Sequence, residues 1–549
     1  MSLLLRISAD RPAVNAWRWW LAVTDTAADG LDPTARLPDL AHRLEQAFDQ
    51  SRDDWWETAR RLGGTPSAEL SHSVACGAFG SDFGLMLAWR RLAAELAAGS
   101  ESVLMLCDDP WLFREIAGLP GVEAGKPPGL LKPTLRLGLR GLAARCALAL
   151  RLVRAVLATR RLKTNIPAEA PILLVYGHPQ SRPDGTDAYF GSLMKALPQL
   201  RRLLHADAPP TRASELAADG RSASIHAWGS ALFALTLPLV AWRPSPAEKG
   251  GRFGMLIRRA AVNENGGGGP AMNRWQIHCQ RRFLAERRPS VMCWPWENHC
   301  WEKDLCRAAT AAGIATIGYQ HTVVGRHQIN QSPRANPDGL AAIPWVMVAN
   351  GPEYRQQMID WDIPEQRIVT GGAFRLTEPK GRPYDQTAPV FVPLSANPSI
   401  AALQLDAARR IAATGRRVLV KDHPMYPQAF TEGGGLERTQ VPMTEQPALS
   451  AVVYSTGTTG LEGLLLGLPT FRLLPEDRVA IEILPDAVRP VTVTLDELVP
   501  AMDRIEPPSR LPFGRLFSPV DMGVWKNLLI GGIERPATDG EESPCAPTP

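Results

Sequence analysis

The sequence predicts an α/β protein built of two parallel-sheet domains that face a cleft, with a helical elaboration at the N-terminus. Three observations lead there. The chain has 549 residues, more than a single hydrophobic core holds. Short apolar runs of strand length alternate with helix-length segments, once across residues 171–370 and again across residues 390–473. The first hundred residues, by contrast, read as mainly helical, with helical periodicity over 37–62 and 83–98.

In chain order, 102–107 reads as a short strand that ends in the loop Asp108-Asp109-Pro110, and 171–176 (PILLVY) as a buried strand. A polar loop, 177–187, precedes a helix from about Ala188, and the glycines at 266–269 make a flexible turn. Then come helix 273–287, strand 290–294, helix 301–312, and strands 314–319, 345–349 and 367–370, with a helix over 352–361. Residues 375–388, rich in Pro, Gly and charge, read as a linker. Beyond them are strand 390–394, helix 400–414, strands 417–421 and 451–454, helix 460–466, strand 470–473, and helices at 494–505 and 520–529. The domain expectation is therefore a helical region 1–100, a first α/β domain 101–375 carrying a basic amphipathic insertion 126–163, a second 376–530, and a disordered polar tail 535–549.

A net charge of +4 gives no whole-molecule field for nucleic acid. The eight cysteines show no C-x-x-C spacing, and the N-terminus does not read as a secretory signal, which suits a reducing cytoplasm. Cys293, Cys300 and Cys306 are expected to be buried thiols, with no metal site. Residues 222–242 lack Asp, Glu, Lys and Arg, but their serines, histidine and proline favour a buried or interfacial helix over a membrane span. Residues 126–163 hold ten basic and no acidic residues. Arg136, Arg140, Arg151 and Arg154 share a helix face there, which suits the anionic surface of an inner membrane; the alternative is a solvated helix whose arginines meet acidic groups elsewhere.

The chemistry concentrates in VLVKDHP (418–424) and VVYSTGTTGLEGLLLGLP (452–469). The first delivers Lys421 and His423 to the carboxyl end of a strand, where ligands bind in open parallel sheets. In the second a strand runs into a hydroxyl- and glycine-rich turn, Ser455, Thr456, Gly457 and Thr458, that opens a helix and suits a phosphate. Glu462 lies in that helix's first turn, placed to reach a ribose or to cap its own helix. Singly, each of these is an ordinary strand end or N-cap.

Together the K-x-H-P element and the S-T, E-G and G-x-P elements resemble the C-terminal half of GT-B glycosyltransferases of bacterial surface carbohydrate synthesis. Those include capsule and lipopolysaccharide transferases that use CMP-activated acidic sugars such as Kdo, sialic acid and other nonulosonates; CDP-glycerol polymerases are similar in the same places. The resemblance implies a GT-B-like fold of two Rossmann-like domains. It also implies that His423 contacts the nucleotide phosphate or acts as general acid, that Ser455 and Thr456 hold the phosphate, that Glu462 binds the ribose, and that Lys421 adds positive charge. Tyr319-Gln320-His321 is similar to a Q-H-G element, with Thr322 in the glycine's place, and Glu297-Asn298 to Trp301-Glu302 is similar to an E-N-x-x-W-E motif. The similarity spans about 171–475.

A base for the acceptor hydroxyl belongs in the first α/β domain, with Glu297, Asp187 and His321 as candidates; a carboxylate in that role calls for a pKa near neutrality. Each also has a structural alternative: helix-terminal charge, N-cap and cleft-lining side chain respectively. The expectation is metal-independent transfer from a nucleotide sugar, without a further cofactor, to a glycan or lipid-linked acceptor. Its competitors are a CDP-glycerol-type transferase, a UDP-sugar transferase or epimerase, and a non-catalytic component of polysaccharide assembly.

Overall fold

The computed structural model describes residues 3–533 apart from 14–15, 25, 66, 77–80, 381–383, 424–425, 505 and 507–509. Pro424 and the expected tail 535–549 thus lie outside the described residues.

Three parallel sheets, rather than two, organise the chain. The first joins β1 (Leu3–Arg6), β2 (Trp19–Ala22), β3 (Val103–Leu106) and β4 (Val122–Ala124) in the order β2-β3-β1-β4. The expectation of a mainly helical region 1–100 without a sheet of its own is corrected here. Its helices are present, at Leu40–Gln50, Arg52–Gly63 and Phe83–Ala98, but they cover a sheet. β1 and β2 are only four residues each, too short to outweigh long helical periodicity. The strand expected at 102–107 is β3, and it pairs with β1 and β2 instead of opening the next domain. The helix Gly254–Asn265 returns to this unit and buries Leu256 and Ile257 with Trp89 and Phe113.

The second sheet has seven strands: β5 (Ile172–Val175), β6 (Arg201–Leu204), β7 (Ser222–Ser224), β8 (Val291–Pro295), β9 (Ala315–Tyr319), β10 (Val346–Ala349) and β11 (Ile368–Thr370). Their order is β11-β10-β9-β8-β5-β6-β7. Connections leave β5 and its neighbour β8 toward opposite ends of the sheet, so the crevice at their carboxyl ends is the topological switch point where ligands bind in such sheets. The third sheet comprises β12 (Val390–Pro393), β13 (Val418–Lys421), β14 (Leu436–Thr439), β15 (Ala451–Tyr454), β16 (Thr470–Leu473) and β17 (Val491–Val493). Its order, β14-β13-β12-β15-β16-β17, places the switch point between β12 and β15. The last described segment leaves this domain: Leu516, Phe517 and Trp525 are buried in the core of the seven-stranded unit, and the Trp525 indole donates to the Gly371 carbonyl.

Residues 222–242 do not form the single helix expected. They give β7 and then three short helical turns, Ile225–Trp228, Ala231–Ala234 and Leu237–Leu239. The basic segment becomes one helix, Leu131–Thr159. It buries Leu148, Leu152 and Val156 against the seven-stranded core. Gly141 lets it approach the end of Gly254–Asn265, because a Cβ there would stand 1.8 Å from the Asn265 carbonyl oxygen. No helix among the described residues is long and apolar enough to cross a membrane.

Candidate active site

At the switch point of the seven-stranded sheet, the loop after β8 folds around one buried carboxylate. Glu302 accepts hydrogen bonds from the Trp294 indole (2.8 Å) and from the backbone N–H groups of Asn298 and His299 (both 3.1 Å). The Glu297 N–H also points at it, at 3.3 Å. Asn298 sits at φ 57°, and the side chains of Asn298 and Asn330 tie the loop to the chain beyond β9. Within the E-N-x-x-W-E pattern, then, the second glutamate builds the loop and the first is presented by it.

Glu297 is held between two imidazoles: its carboxylate lies 2.7 Å from His299 Nε2 and 3.5 Å from His321 Nε2. Its side chain keeps 27% of its surface exposed, against 4% for His321. Tyr189 packs edge-on with His321 at 5.1 Å, and the Arg375 guanidinium lies over the Tyr189 ring at 5.4 Å. Tyr176, His205 and Trp301 continue the wall. Burial works against the ionised Glu297, but the hydrogen bond and charge of His299 outweigh it and hold the carboxyl below its usual value. His321 is pushed down to about 4, chiefly by burial, and is neutral at pH 7. Glu297 is therefore not the near-neutral carboxyl that the sequence argument called for.

Asp187 does not join this cluster. One oxygen accepts from the Tyr189 and Phe190 N–H groups at 2.9 and 3.3 Å; the other accepts from the Ser181 hydroxyl and lies 3.6 Å from Arg202, itself fully buried. Its bonds are those of a turn cap and a buried ion pair, which corrects its place among the bases.

On the C-terminal sheet, Lys421 closes β13 and His423 follows, its ring 5.5 Å from that of Tyr426. Between them Asp422 pairs with Arg438 and accepts from the Gln428 N–H. β13 and β15 flank β12, so their carboxyl ends stand two strand spacings apart, about 10 Å. Ser455 is fully buried and donates to the Leu473 carbonyl at 2.8 Å, which corrects its assignment to a phosphate. Thr456 donates to the Ile481 carbonyl at 3.0 Å and lines a cavity. Gly457 adopts φ +122° with open space on its Cβ side, and Thr458 precedes the helix Thr459–Leu465 without capping it through its side chain. Burial raises the Glu462 carboxyl, and this residue lies outside the cavity wall.

That cavity, of about 650 Å³, is the feature that sequence reasoning missed. Asn397 follows β12 and Thr456 follows β15, so its floor is the switch point of the C-terminal sheet. Its roof comes from the N-terminal sheet: Val23 and Thr24 after β2, and Asp108 and Asp109 after β3. The Asp108-Asp109-Pro110 loop was visible as a strand end, but nothing in the sequence indicates which sheet it faces. Cys107, Cys279, Cys293, Cys300 and Cys306 are buried and Cys146 is exposed, and none of these six forms a disulfide. Among the described residues no three His, Cys, Asp or Glu side chains converge as metal ligands do.

No family model and no curated protein matches the chain. Among solved structures it is similar to a calicheamicin glycosyltransferase at 17% identity, over 61% of this chain and 88% of that one, with a TM-score of 0.37. It is similar to a lipopolysaccharide outer core galactosyltransferase at 12% identity, over 61% and 89%, with a TM-score of 0.31. It is also similar to UDP-N-acetylglucosamine 2-epimerase from Rickettsia bellii at 10% identity, over 64% and 89%, with a TM-score of 0.32.

Proposed function

We propose that this chain is a glycosyltransferase that moves a sugar from a nucleotide-linked donor to a surface-glycan or lipid-linked acceptor. The observation that carries this is the partly buried Glu297 carboxylate, set between two imidazoles at one switch point, while a second switch point opens into a ligand-sized cavity. Glu297 takes the proton of the acceptor hydroxyl; entry of the acceptor strips water from the site and raises its pKa toward the working range. Lys421 and His423 lie at the carboxyl edge of the donor sheet, where positive charge stabilises a departing nucleotide. On the resemblance of the K-x-H-P element, the nucleotide is CMP and its cargo an acidic sugar.

Thermal unfolding with CMP and with UMP tests the donor. A nucleotide at 100 times its Kd stabilises by about 2.7 kcal/mol, and this is expected for CMP. Stabilisation by UMP alone overturns the CMP donor, and stabilisation by neither overturns nucleotide-dependent transfer.

The same reading puts the enzyme on the cytoplasmic face of an anionic membrane. Nine of the thirteen large apolar side chains that stand exposed among the described residues belong to two adjoining segments of the chain. These are Leu131, Leu135, Leu139, Leu142, Leu150 and Leu157 on the long basic helix, and Leu232, Leu235 and Leu239 beside it. At about 100° per residue the six helix leucines form one stripe, and Arg136, Arg140, Arg151 and Arg154 form the next, both on the outward face. That is the pattern of a helix lying in the headgroup layer, leucines down and arginines at phosphate level. Reversing the four arginines to glutamate removes roughly 1 kcal/mol each. Co-sedimentation with phosphatidylglycerol-containing vesicles should then fall by about three orders of magnitude in partition. Leu135→Ser with Leu139→Ser should weaken binding to neutral and anionic vesicles alike. A wild-type protein that ignores both kinds of vesicle ends the membrane assignment.

A further inference from the structure

We infer that the cavity between the N-terminal and C-terminal sheets is the nucleoside end of the donor site, and that the N-terminal domain reads the base there. This rests on the transferase reading and adds to it a domain that neither the motifs nor the two-domain expectation include.

Both walls are carboxyl edges of parallel sheets, the side on which such sheets bind ligands. The volume, about 650 Å³, lies within the range of small-ligand pockets. The walls are fixed against each other. His42 of the N-terminal domain lies 3.3 Å from Glu497, Arg36 pairs with Glu476, and the Thr24 hydroxyl donates to the Asp477 carbonyl. The Glu297 cluster is not part of this lining. Contact between the two runs through Ile481, which lines the cavity, and then Glu482 and Ile483, whose backbone packs on Gly325 four residues beyond His321.

Charge divides the cavity. On the N-terminal wall, the Arg259 guanidinium binds both oxygens of Asp82 (2.8 and 2.7 Å) and one of Asp109 (2.5 Å). Asp108 takes its bonds from Ser8, at 2.9 Å from the N–H and 2.5 Å from the hydroxyl. On this wall three carboxylates thus stand against one guanidinium, and the cavity's second guanidinium, Arg478 across from them, is held by Asp477 at 2.9 and 3.1 Å. Such a wall repels phosphate and acidic sugar, and it favours groups that donate hydrogen bonds. A nucleoside offers ribose hydroxyls and, when the base is cytosine, an exocyclic amine; uracil presents a carbonyl oxygen at that position. Carboxylates accept from the cytosine amine. The anionic half of the donor then points along the sheet edge toward Lys421 and His423. Asp108, exposed and with a lone pair left on each oxygen, is the residue placed to meet the base or ribose.

Titration calorimetry of the full-length protein with CMP and with UMP tests this, comparing wild type with Asp108→Asn, Thr24→Val and Thr456→Val. Asp108→Asn should weaken CMP at least tenfold and narrow or invert its advantage over UMP, because the amide offers N–H to the uracil carbonyl. Thr24→Val, on the same wall, should weaken both nucleotides, as should Thr456→Val on the opposite wall. Melting curves without ligand identify any variant that fails to fold, and Thr24→Val keeps the N-terminal wall testable if Asp108→Asn is one. If Thr456→Val weakens CMP while both N-terminal variants bind as wild type does, the inference falls and the donor reading stands. If wild type binds neither nucleotide, both fall.

Discussion

Glu297→Gln is expected to lower transfer by about 10²- to 10⁴-fold, the usual contribution of a positioned general base. Glutamine matches the volume of glutamate and its Oε1 still accepts from His299, so the loop around Glu302 should remain folded. What is lost is the charge that takes the proton. The geometry separates this outcome from that of its neighbours. Asp187→Asn alters a buried cap and the ion pair with Arg202, and should cost stability before it costs turnover. His321→Ala removes a neutral ring packed on Tyr189 and should disturb both. Glycan production in cells that carry only the variant, read beside its melting temperature, makes the distinction. A normally folded Glu297→Gln protein that sustains wild-type glycan levels refutes catalysis at this site.

The two large sheets were legible because their strands are apolar runs bounded by turn residues: PILLVY gave β5, and the runs at 290–294, 390–394 and 451–454 gave β8, β12 and β15. The strands that escaped have physical reasons. β6 (Arg201–Leu204) opens on two arginines, one of them buried because it pairs with Asp187, and β7 is the polar triplet Ser222–Ser224. β1 and β2 are four residues each and pair mainly with β3, some eighty or more positions later, which no local pattern reveals.

The placement of the candidate residues was only partly legible. Lys421, His423 and Thr456 do fall at the carboxyl edge of one sheet, and Glu297 and His321 do meet. Ser455, however, is claimed by the Leu473 carbonyl, a partner set by the pairing of β15 with β16. Which surface covers the C-terminal sheet depends on contacts more than four hundred residues apart, such as Thr24 with Asp477. A motif records which groups are delivered to an edge; it cannot record what stands opposite.

The second large effect is expected at Arg472, where all three sheets meet. Its side chain, 1% exposed, reaches Glu45 of the N-terminal domain at 2.5 Å and Glu482 at 3.0 Å, and donates to the Ala480 carbonyl. Glu45 also lies 3.0 Å from Arg326. The neighbouring His327, from the loop after β9, is fully buried, lies 3.0 Å from Asp49 and accepts the Glu482 N–H at 2.8 Å. Arg472→Ala leaves the buried carboxylate of Glu482 without its cation and weakens the hold on Glu45. Breaking a buried pair this way costs about 3–5 kcal/mol. In a protein of several domains that loss need not appear as one cooperative melt. It should appear first as proteolytic cleavage around residues 477–484 and release of the N-terminal domain from the C-terminal sheet. The triple change Arg472→Met, Glu45→Gln, Glu482→Gln removes the charges together and should recover most of the stability, since burial of an intact pair itself carries a desolvation cost. The same variants bear on the cavity. If the N-terminal domain forms one wall of the nucleoside site, Arg472→Ala should weaken CMP more than tenfold and the triple change should restore it, although none of these residues touches the ligand. A melting profile and a CMP affinity unchanged by Arg472→Ala would show that the N-terminal domain is held in place by other contacts.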